Sequence, residues 1–388
     1  MKNIAENIKY VGCDDVTIDL FESQYKVPQG VSYNSYVILD EKTAVMDTVD
    51  RRAGDEWFKN LKDALAGKEP EYLIVSHLEP DHAFNIGRFL KTYPNAKIVG
   101  NAKTFTMFPE YFSNNVEERK VIVKEGDELS LGKHTLVFVM APMVHWPEVM
   151  MEYEKTEKIL FSADAFGKFG ALCNERADSP QENWTDEARR YYCNIVGKYG
   201  VAVQGVLKKA SALNICTVCP LHGPVLKDNL SFYLDKYEKW SSYTPEEEGV
   251  LVAYASIHGN TAEAAKILFS ALEKQGKKAV LFDLSRADMS EAVAQAFRFS
   301  KLALACCTYD GGLLPCMQSF LLRLKSKGLQ KRVIGLTENG SWAPQAAKLM
   351  TEILSSMKGM EILSPVVTVC GAVKEENVRA IEELATAL

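Results

Sequence analysis

Short apolar runs alternate with helix-like segments from residue 250 to the end of the chain. The runs are continuously apolar, whereas apolar residues recur every three or four positions in the segments between them. This pattern predicts strands at Val250–Ala255, Lys278–Phe282, Leu302–Cys307, Arg332–Leu336 and Val366–Val369, and helices at Thr261–Lys274, Pro315–Lys325, Pro344–Met357 and Lys374–Thr386. Strands without polar alternation are typical of a parallel sheet that helices cover on both faces. Five such units in about 140 residues predict a doubly wound, five-stranded α/β domain.

The first 240 residues are less regular, because predicted strands come both in hairpin-like pairs and separated by helices. An α/β or α+β arrangement with a mixed sheet follows, with strands near 35–39, 44–47, 73–76, 97–99, 121–123, 135–139, 159–162 and 215–218 and helices near 55–65, 104–112, 186–206 and 232–239. The segment Ser241–Gly249 is polar, acidic and contains Pro and Gly, which predicts a linker. We therefore expect one domain over 1–245 and a second over 250–388.

Composition and charge narrow the class of protein. Of the 388 residues, 47% are apolar and 25% charged, as in ordinary globular proteins. The net charge of −6 argues against general nucleic-acid binding, which requires a strongly basic surface. No apolar run approaches about 18 residues, and the polar N-terminus lacks the apolar core of a signal peptide, so we expect no membrane segment. Nine cysteines, an odd number spread over a long chain, favour reduced thiols and a cytoplasmic location.

The clearest candidate for chemistry is the polar turn at residues 76–82, directly after the apolar segment at 72–75. The turn offers four side chains that can bind a metal ion: His77, Glu79, Asp81 and His82. An alternative is a turn that caps the next helix, with Asp81 at the cap. Metal binding is favoured by three further side chains that each follow an apolar strand: His145, Asp164 and His222. Strand ends converge on one edge of a sheet, where sites are commonly built.

Three loops of the C-terminal domain carry small and polar residues after predicted strands: Ser256-Ile257-His258-Gly259-Asn260-Thr261, Thr308-Tyr309-Asp310-Gly311-Gly312 and Glu338-Asn339-Gly340-Ser341-Trp342-Ala343. The first loop opens a helix, where backbone N–H groups and hydroxyls can hold a phosphate. One such loop alone would be equally typical of an ordinary helix cap. Tyr309 and Trp342 are placed to flank a flat aromatic ring. The chain has no G-x-G-x-x-G, which argues against a tightly bound nicotinamide dinucleotide.

Together these motifs resemble two known folds joined in one chain. The turn at 76–82 resembles the H-x-H-x-D-H motif of the metallo-β-lactamase fold, an αββα sandwich, with Glu79 in place of the second histidine. The three loops resemble those of flavodoxin, whose first loop binds the phosphate of FMN. This fusion resembles the flavodiiron proteins over essentially the whole chain. Because carboxylates suit iron and imidazole-rich sites suit zinc, Glu79 favours iron.

The resemblance implies a pair of non-haem iron ions in the domain over 1–245 and FMN in the domain over 250–388. One iron would take His77, Glu79 and His145, the other Asp81, His82 and His222, and Asp164 would bridge both. In some family members the side chain that matches His82 turns away from the iron. His134 lies in a predicted hairpin turn, and we place it at the surface, outside the site.

The resemblance also implies a function. The protein would reduce O2 to water, NO to N2O, or both, at the iron pair, with electrons passed through FMN. Rubredoxin or reduced deazaflavin would be the electron donor, and the chain would form a head-to-tail homodimer or a dimer of dimers. Two alternatives stay open. One is a zinc-dependent hydrolase of the metallo-β-lactamase type with an appended flavodoxin domain, which Glu79 argues against. The other is an electron carrier whose N-terminal domain only docks partners.

Four cysteines and the segment at 189–192 are expected to have a role in packing and not in catalysis. Cys216 and Cys219 lie on a predicted strand and not at a helix start, where a thiolate would be stabilised. We expect them to be buried structural thiols, as at Cys306 and Cys307. The segment at 189–192 is predicted to be a packed helix, from which a tyrosine could reach the metal site.

Overall fold

The structure is a computed structural model that describes residues 2–174 and 180–388. The chain divides into two compact units. The first unit comprises Met1–Tyr192 and Val201–Tyr237, and the second comprises Cys193–Gly200 and Glu238–Leu388. Within the described residues, no helix is both long and apolar enough to cross a membrane.

The first unit is built from short strands that form two large sheets and two small ribbons. In chain order the strands are β1 (Asn3–Ala5), β2 (Ile8–Tyr10), β3 (Cys13–Asp15), β4 (Leu20–Phe21), β5 (Tyr25–Lys26), β6 (Val31–Tyr33), β7 (Tyr36–Ile38), β8 (Ala44–Met46), β9 (Tyr72–Ile74), β10 (Lys97–Asn101), β11 (Lys120–Val123), β12 (Glu128–Ser130), β13 (Thr135–Met140), β14 (Met150–Glu154), β15 (Ile159–Phe161) and β16 (Thr217–Cys219). One sheet has the order β1-β2-β7-β8-β9-β10-β11 and the other β12-β13-β14-β15-β16. Each is mixed, since antiparallel pairs such as β7–β8 lie beside parallel pairs such as β8–β9.

The helices along this part of the chain are α1 (Gly54–Leu65), α2 (Pro80–Ala83), α3 (Ile86–Thr92), α4 (Ala102–Tyr111), α5 (Pro180–Tyr191), α6 (Gly200–Ala210) and α7 (Leu230–Ser241). Local sequence sets several ends. Asn101 caps α4, because its side chain accepts hydrogen bonds from two backbone N–H groups of the first turn. The single helix predicted over 186–206 is interrupted, since a π-helical turn (Tyr192–Val196) and a 3-10 turn (Gly197–Tyr199) separate α5 from α6.

An apolar layer joins the two large sheets face to face. Met46 and Ile74 of one sheet and Phe138 and Phe161 of the other belong to it, and all four are buried. Burying one such side chain contributes about 1.5–3 kcal/mol. Outside the layer, α4 packs against β10 and β11 of the first sheet. Leu207 of α6 lines the same cavity as Leu160 of β15 and Val218 of β16. The layering confirms the predicted αββα sandwich.

The second unit is a parallel sheet with helices between its strands. The strands are β17 (Glu247–Ala255), β18 (Ala279–Asp283), β19 (Phe299–Tyr309), β20 (Gly312–Leu313), β21 (Arg332–Asn339), β22 (Met360–Ile362) and β23 (Val367–Val369), and the helices are α8 (Asn260–Lys274), α9 (Met289–Arg298), α10 (Pro315–Ser326), α11 (Ala346–Ser355) and α12 (Glu375–Ala387). The main order is β18-β17-β19-β21-β22, which confirms the doubly wound sheet.

The second unit departs from the prediction at several elements. The short strand β20 was not predicted, and β17 begins at Glu247, inside the segment predicted as a linker. Two short strands, β22 and β23, both pair with β21 and share the fifth position, where one strand was predicted. Pro365 lies between them, and a proline has no N–H to offer a ladder of hydrogen bonds. Helix α9 was not predicted, although Asp288 caps it by accepting a hydrogen bond from the backbone N–H of Ser290.

Burial corrects two further expectations. His134 does lie in the turn between β12 and β13, but it is fully buried and not at the surface. Its backbone N and ring Nδ1 lie 2.7 and 2.8 Å from Oδ2 of Asp40, and this carboxylate compensates the buried polar groups. Cys216 is exposed just before β16, whereas Cys219 within the strand is buried. Cys306 is buried as expected, and Cys307 is half-buried.

Candidate functional site

Four strand ends of the first unit bring polar side chains to one edge of the sandwich. His77 follows β9, His145 follows β13, Asp164 follows β15 and His222 follows β16. The turn after β9 supplies the rest, since α2 begins directly after Glu79 and contains Asp81 and His82. The N-cap position is thus Glu79 and not Asp81, and the Glu79 side chain makes no capping bond. We refer to these seven side chains as the metal edge.

One carboxylate oxygen of Asp164 faces the first group of this edge. Oδ2 of Asp164 lies 3.4 Å from Nε2 of His77 and 3.4 Å from Nε2 of His145. Glu79 completes the group, with Oε2 3.2 Å from Nε2 of His77 and 3.0 Å from Nε2 of His145. Four ligand atoms therefore converge, all within 4.8 Å of one another.

The other oxygen of Asp164 faces the second group. Oδ1 lies 3.2 Å from Nε2 of His82 and 3.6 Å from Nε2 of His222. Oδ2 of Asp81 lies 3.2 Å from each of the same two nitrogens. The two imidazole nitrogens are 3.1 Å apart, so the His82 side chain turns into the group.

The chemistry of these donors fits a pair of metal ions. Asp164 is 1% exposed, yet neither of its carboxylate oxygens has a hydrogen bond. A buried carboxylate that accepts no hydrogen bond is costly, whereas lone pairs that converge with imidazole nitrogens are what a metal ion requires. Three carboxylates among four imidazoles form a donor set that suits iron better than an all-imidazole site would.

The electrostatics keep the carboxylates available as anionic donors. Burial alone would raise the pKa of Asp164, but the neighbouring imidazoles of His82, His145 and His77 hold it well below its ordinary value. Burial opposes ionisation of Glu79 as well, and hydrogen bonds from His145 and His77 lower its pKa. Both groups are therefore ionised at neutral pH.

Two outer partners orient the imidazoles, and neither was predicted from the sequence. Glu148 is fully buried, and its Oε1 lies 2.7 Å from Nδ1 of His77 and accepts the backbone N–H of Leu78 at 2.9 Å. Nδ1 of His222 lies 2.7 Å from the carbonyl oxygen of Ser32. An acceptor at Nδ1 leaves the lone pair of Nε2 free for a metal. Glu148 stands three residues after His145 in the same turn, which was the signal available for it.

Aromatic rings line the inner wall of the second group. Tyr191 of α5 packs against His222 with ring centroids 5.5 Å apart, so a tyrosine of the segment at 189–192 does reach the metal edge. Phe21 and Tyr33 pack against the same imidazole at 5.4 and 5.9 Å. In the first group Trp146 packs against His77 at 5.2 Å. The ligands thus lie in a largely apolar wall.

The three predicted loops of the second unit enclose one cleft of about 540 Å³. Thirteen of the fifteen predicted flavin-binding residues line it: Ser256, Ile257, His258, Asn260, Thr261, Thr308, Tyr309, Asp310, Gly311, Asn339, Gly340, Ser341 and Trp342. Gly259 and Gly312 are not among its lining residues. Three further lining residues, Cys307, Gln345 and Gly371, lie outside the predicted loops, and Ala343 is the last residue of the third loop. Gly371 follows β23, so its position after a strand was the signal available for it in the sequence.

Local bonds shape the cleft for a phosphate and a ring. Gly259 has φ +96°, its backbone N–H donates to Oγ of Ser256, and the position of an added Cβ would meet open space. It precedes α8, whose N-terminus leaves backbone N–H groups for an anion. The amide of Asn339 is already paired with the backbone of Gly371. Tyr309 and Trp342 are 44% and 92% exposed, so both rings are free to face a flat cofactor.

Comparisons with known proteins agree with both units. A family model described as ODP family beta lactamase matches residues 31–223, and one described as flavodoxin matches residues 252–383. The nitric oxide reductase of Moorella thermoacetica is 29% identical over 98% of this chain and 96% of its own. A histidine variant of the flavodiiron protein from Thermotoga maritima is 25% identical, with a TM-score of 0.90 over 100% of this chain and 97% of that one.

A further solved structure shares the fold. Rubredoxin oxygen:oxidoreductase from the anaerobe Desulfovibrio gigas has a TM-score of 0.92 at 24% identity, over 99% of this chain and 96% of that one. The β-lactamase-like unit with its metal edge is joined in one chain to a flavodoxin domain whose three predicted loops line one cleft. The chain therefore belongs to the flavodiiron proteins, oxidoreductases that carry a pair of non-haem iron ions and FMN.

Proposed function

We propose that the protein reduces O2 to water, NO to N2O, or both, at an iron pair held by the seven side chains of the metal edge: His77, Glu79, Asp81, His82, His145, Asp164 and His222. The division of the two Asp164 oxygens between two groups of donor atoms carries this proposal. A carboxylate placed in this way can bridge two metal ions, close enough together to act on one small molecule. The names of the relatives from Moorella thermoacetica and Desulfovibrio gigas support the two substrates.

When bound, the iron pair supplies open coordination positions and electrons for a small gas, and FMN supplies further electrons. Four electrons take O2 to two waters, and two electrons take two NO to N2O and water. The chain's own residues position the donors for this task. Glu148 holds Nδ1 of His77 and the Ser32 carbonyl holds Nδ1 of His222, so that both Nε2 atoms face the metal positions. The rings around His222 limit water at the wall and leave an apolar surface that suits a diatomic gas.

We place FMN in the cleft of the second unit. The loop Ser256–Thr261 would hold the phosphate through backbone N–H groups and hydroxyls at the start of α8. Tyr309 and Trp342 would flank the ring, and their exposure is the observation that supports this placement. Binding would then cover most of the apolar area of the Trp342 side chain.

The proposal extends to domains, partners and location. The domains are 1–245 for the iron pair and 250–388 for FMN. Either rubredoxin or reduced deazaflavin is the electron donor, and the protein is cytoplasmic. A head-to-tail homodimer or a dimer of dimers would bring the flavin of one subunit to the iron pair of another. Sedimentation of the active protein across a dilution series tests this, and activity of a strict monomer would contradict it.

The experiment uses the full chain, purified without oxygen and analysed for its metal content. FMN is reduced photochemically, so that no protein donor is needed, and O2 or NO is then added in separate electrode measurements. We expect two iron ions per chain and rapid consumption of at least one gas. Asp40→Asn is the matched control, because Asp40 also pairs with a buried histidine but lies outside the metal edge. An iron-loaded chain that consumes neither gas would contradict the proposal, and zinc with thioester or lactam hydrolysis would establish the hydrolase instead.

A further inference from the structure

A carboxyl group is buried in the apolar layer of the first unit. Glu152 of β14 is 0% exposed and lies opposite Phe138 of β13 and Phe161 of β15, two members of that layer. Its Oε1 has no hydrogen-bond partner, and within residues 2–174 and 180–388 no cationic side chain pairs with it. An ionised carboxylate in such surroundings would cost several kcal/mol, so the group is expected to hold a proton. Burial and the nearby charge of Asp47 raise the pKa of Glu152 well above its ordinary value.

The other oxygen of Glu152 has one contact. Oε2 lies 3.0 Å from Oγ of Ser76, which lies 2.6 Å from Oδ2 of Asp47. The backbone N–H of Ser76 also donates to Oδ1 of Asp47 at 2.8 Å. A hydroxyl has a single proton, and the shorter contact assigns it to Asp47. The oxygen of Ser76 is then an acceptor, and Glu152 is the neighbour that can donate to it.

Ser76 connects this chain of hydrogen bonds to the metal edge. It directly precedes His77, and its carbonyl oxygen accepts the backbone N–H of Met150 on the strand that carries Glu152. We propose that Glu152 is a positioning residue of the metal edge: as a neutral acid it donates a hydrogen bond to Ser76 Oγ and so holds the strand end that presents His77. The part of this inference that is measured by Fe²⁺ binding rests on the proposed function, whereas the protonation of Glu152 is measured without iron.

The charge state of Glu152 decides whether the arrangement holds together. With the proton present, Glu152 donates to Ser76 and Ser76 donates to Asp47, so that each contact has one donor and one acceptor. Without it, two buried carboxylates would compete for one hydroxyl proton and one of them would lack a donor. An apolar replacement would remove the buried polar group without a packing penalty, but it would leave Ser76 without its donor. Stability and metal binding are therefore expected to respond differently to such a change.

The experiment compares E152Q, E152M and the control E154Q in the full chain. Glu154 lies on the same strand and is equally buried, but it accepts the backbone N–H groups of Thr156 and Glu157 at the far end of the strand. The first readout is infrared difference spectroscopy of the metal-free chain. We expect the C=O stretch of a protonated carboxylic acid, sensitive to D2O, which is missing in E152Q and kept in E154Q.

The second readout is an anaerobic titration of the metal-free chain with Fe²⁺. We expect E152M to bind Fe²⁺ about 10-fold more weakly at an unchanged or higher unfolding midpoint. This is the lower end of the roughly 10–100-fold that direct partners of metal ligands contribute, because Glu152 acts on His77 through Ser76. E152Q keeps an N–H donor and should stay within about twofold of the native chain, as should E154Q.

Three results would overturn the inference. One is the absence of a protonated-acid band, which would show Glu152 to be ionised. A second is an E152Q protein that binds Fe²⁺ as weakly as E152M, which would show that donation to Ser76 is irrelevant. A third is an unchanged Fe²⁺ affinity in E152M. If E152M does not fold, Ser76→Ala removes the acceptor instead and should shift the acid band while weakening Fe²⁺ binding. If even the native chain fails to bind Fe²⁺, the proposed function fails, and the infrared result still decides the state of Glu152.

Discussion

Glu148 offers a direct test of how the metal edge is held. Burial alone would raise its pKa, but the hydrogen bond and charge of His77 keep the pKa below its ordinary value, so the carboxylate is an anionic acceptor. Glu148→Met keeps a side chain of similar size but removes the carboxylate oxygen that accepts two hydrogen bonds. The N–H groups at Nδ1 of His77 and on the backbone of Leu78 then have no acceptor. In Glu148→Gln the amide oxygen can still accept both, and only the charge is lost.

The two lost hydrogen bonds determine how strongly Glu148→Met is expected to weaken metal binding. A buried donor left without a partner costs about 1–3 kcal/mol, and Glu148→Met leaves two such donors. Losing an outer acceptor of a metal-bound histidine lowers metal affinity by about 10–100-fold, which corresponds to about 1.4–2.8 kcal/mol. We therefore expect Glu148→Met to lower Fe²⁺ affinity by about 100-fold and Glu148→Gln to lower it by about 10-fold.

The assay is an anaerobic Fe²⁺ titration of the metal-free full chain. FMN absorbance serves as an internal control, because the cleft that we assign to it lies in the other unit. Asp40→Asn is the matched control, since it weakens a carboxylate–imidazole contact of 2.8 Å that does not belong to the metal edge. Fe²⁺ affinity of Glu148→Met within twofold of the native value would refute the reasoning, as would an equal loss in Asp40→Asn.

Three further predictions follow from named contacts. Asp164→Ala should lose iron with unchanged FMN absorbance, and full iron content would contradict the bridging role. Arg332 donates to five backbone carbonyl oxygens and is 1% exposed, so Arg332→Met should lower the free energy of unfolding by about 3 kcal/mol in denaturant titrations. Burial opposes ionisation of Asp40, but hydrogen bonds from His134 help lower its pKa to about 2. A lowered pKa stabilises the fold above the unfolded value near 4, so the native chain should lose its advantage over Asp40→Asn between about pH 4 and pH 2; parallel pH curves would contradict this.

The metal edge could be predicted to a large extent because its parts are local. The turn at 76–82 places four donors within six residues, and the apolar segment before it marks a strand by composition alone. His145, Asp164 and His222 could be predicted in the same way, since each follows its own strand. The three loops that line the cleft of the second unit could be predicted for the same reason.

The errors occurred where burial depends on distant neighbours. His134 was placed at the surface because a hairpin turn usually is, but Asp40 from another part of the chain buries it. Cys216 was expected to be buried because it stands close to an apolar strand, yet it falls just outside that strand and is exposed. Nothing in the immediate sequence distinguishes these environments.

The sequence by itself determined the two classes of fold, the positions of most strands and the types of donor atoms at the metal edge, because periodicity and composition act over a few residues. Only the tertiary structure decided which partners these atoms have. Glu148 meets His77 across 71 residues, and Glu152 meets Ser76 across 76. The division of Asp164 between two groups likewise depends on strands from both sheets. Such contacts come from packing between elements distant in the chain, and local patterns carry no record of them.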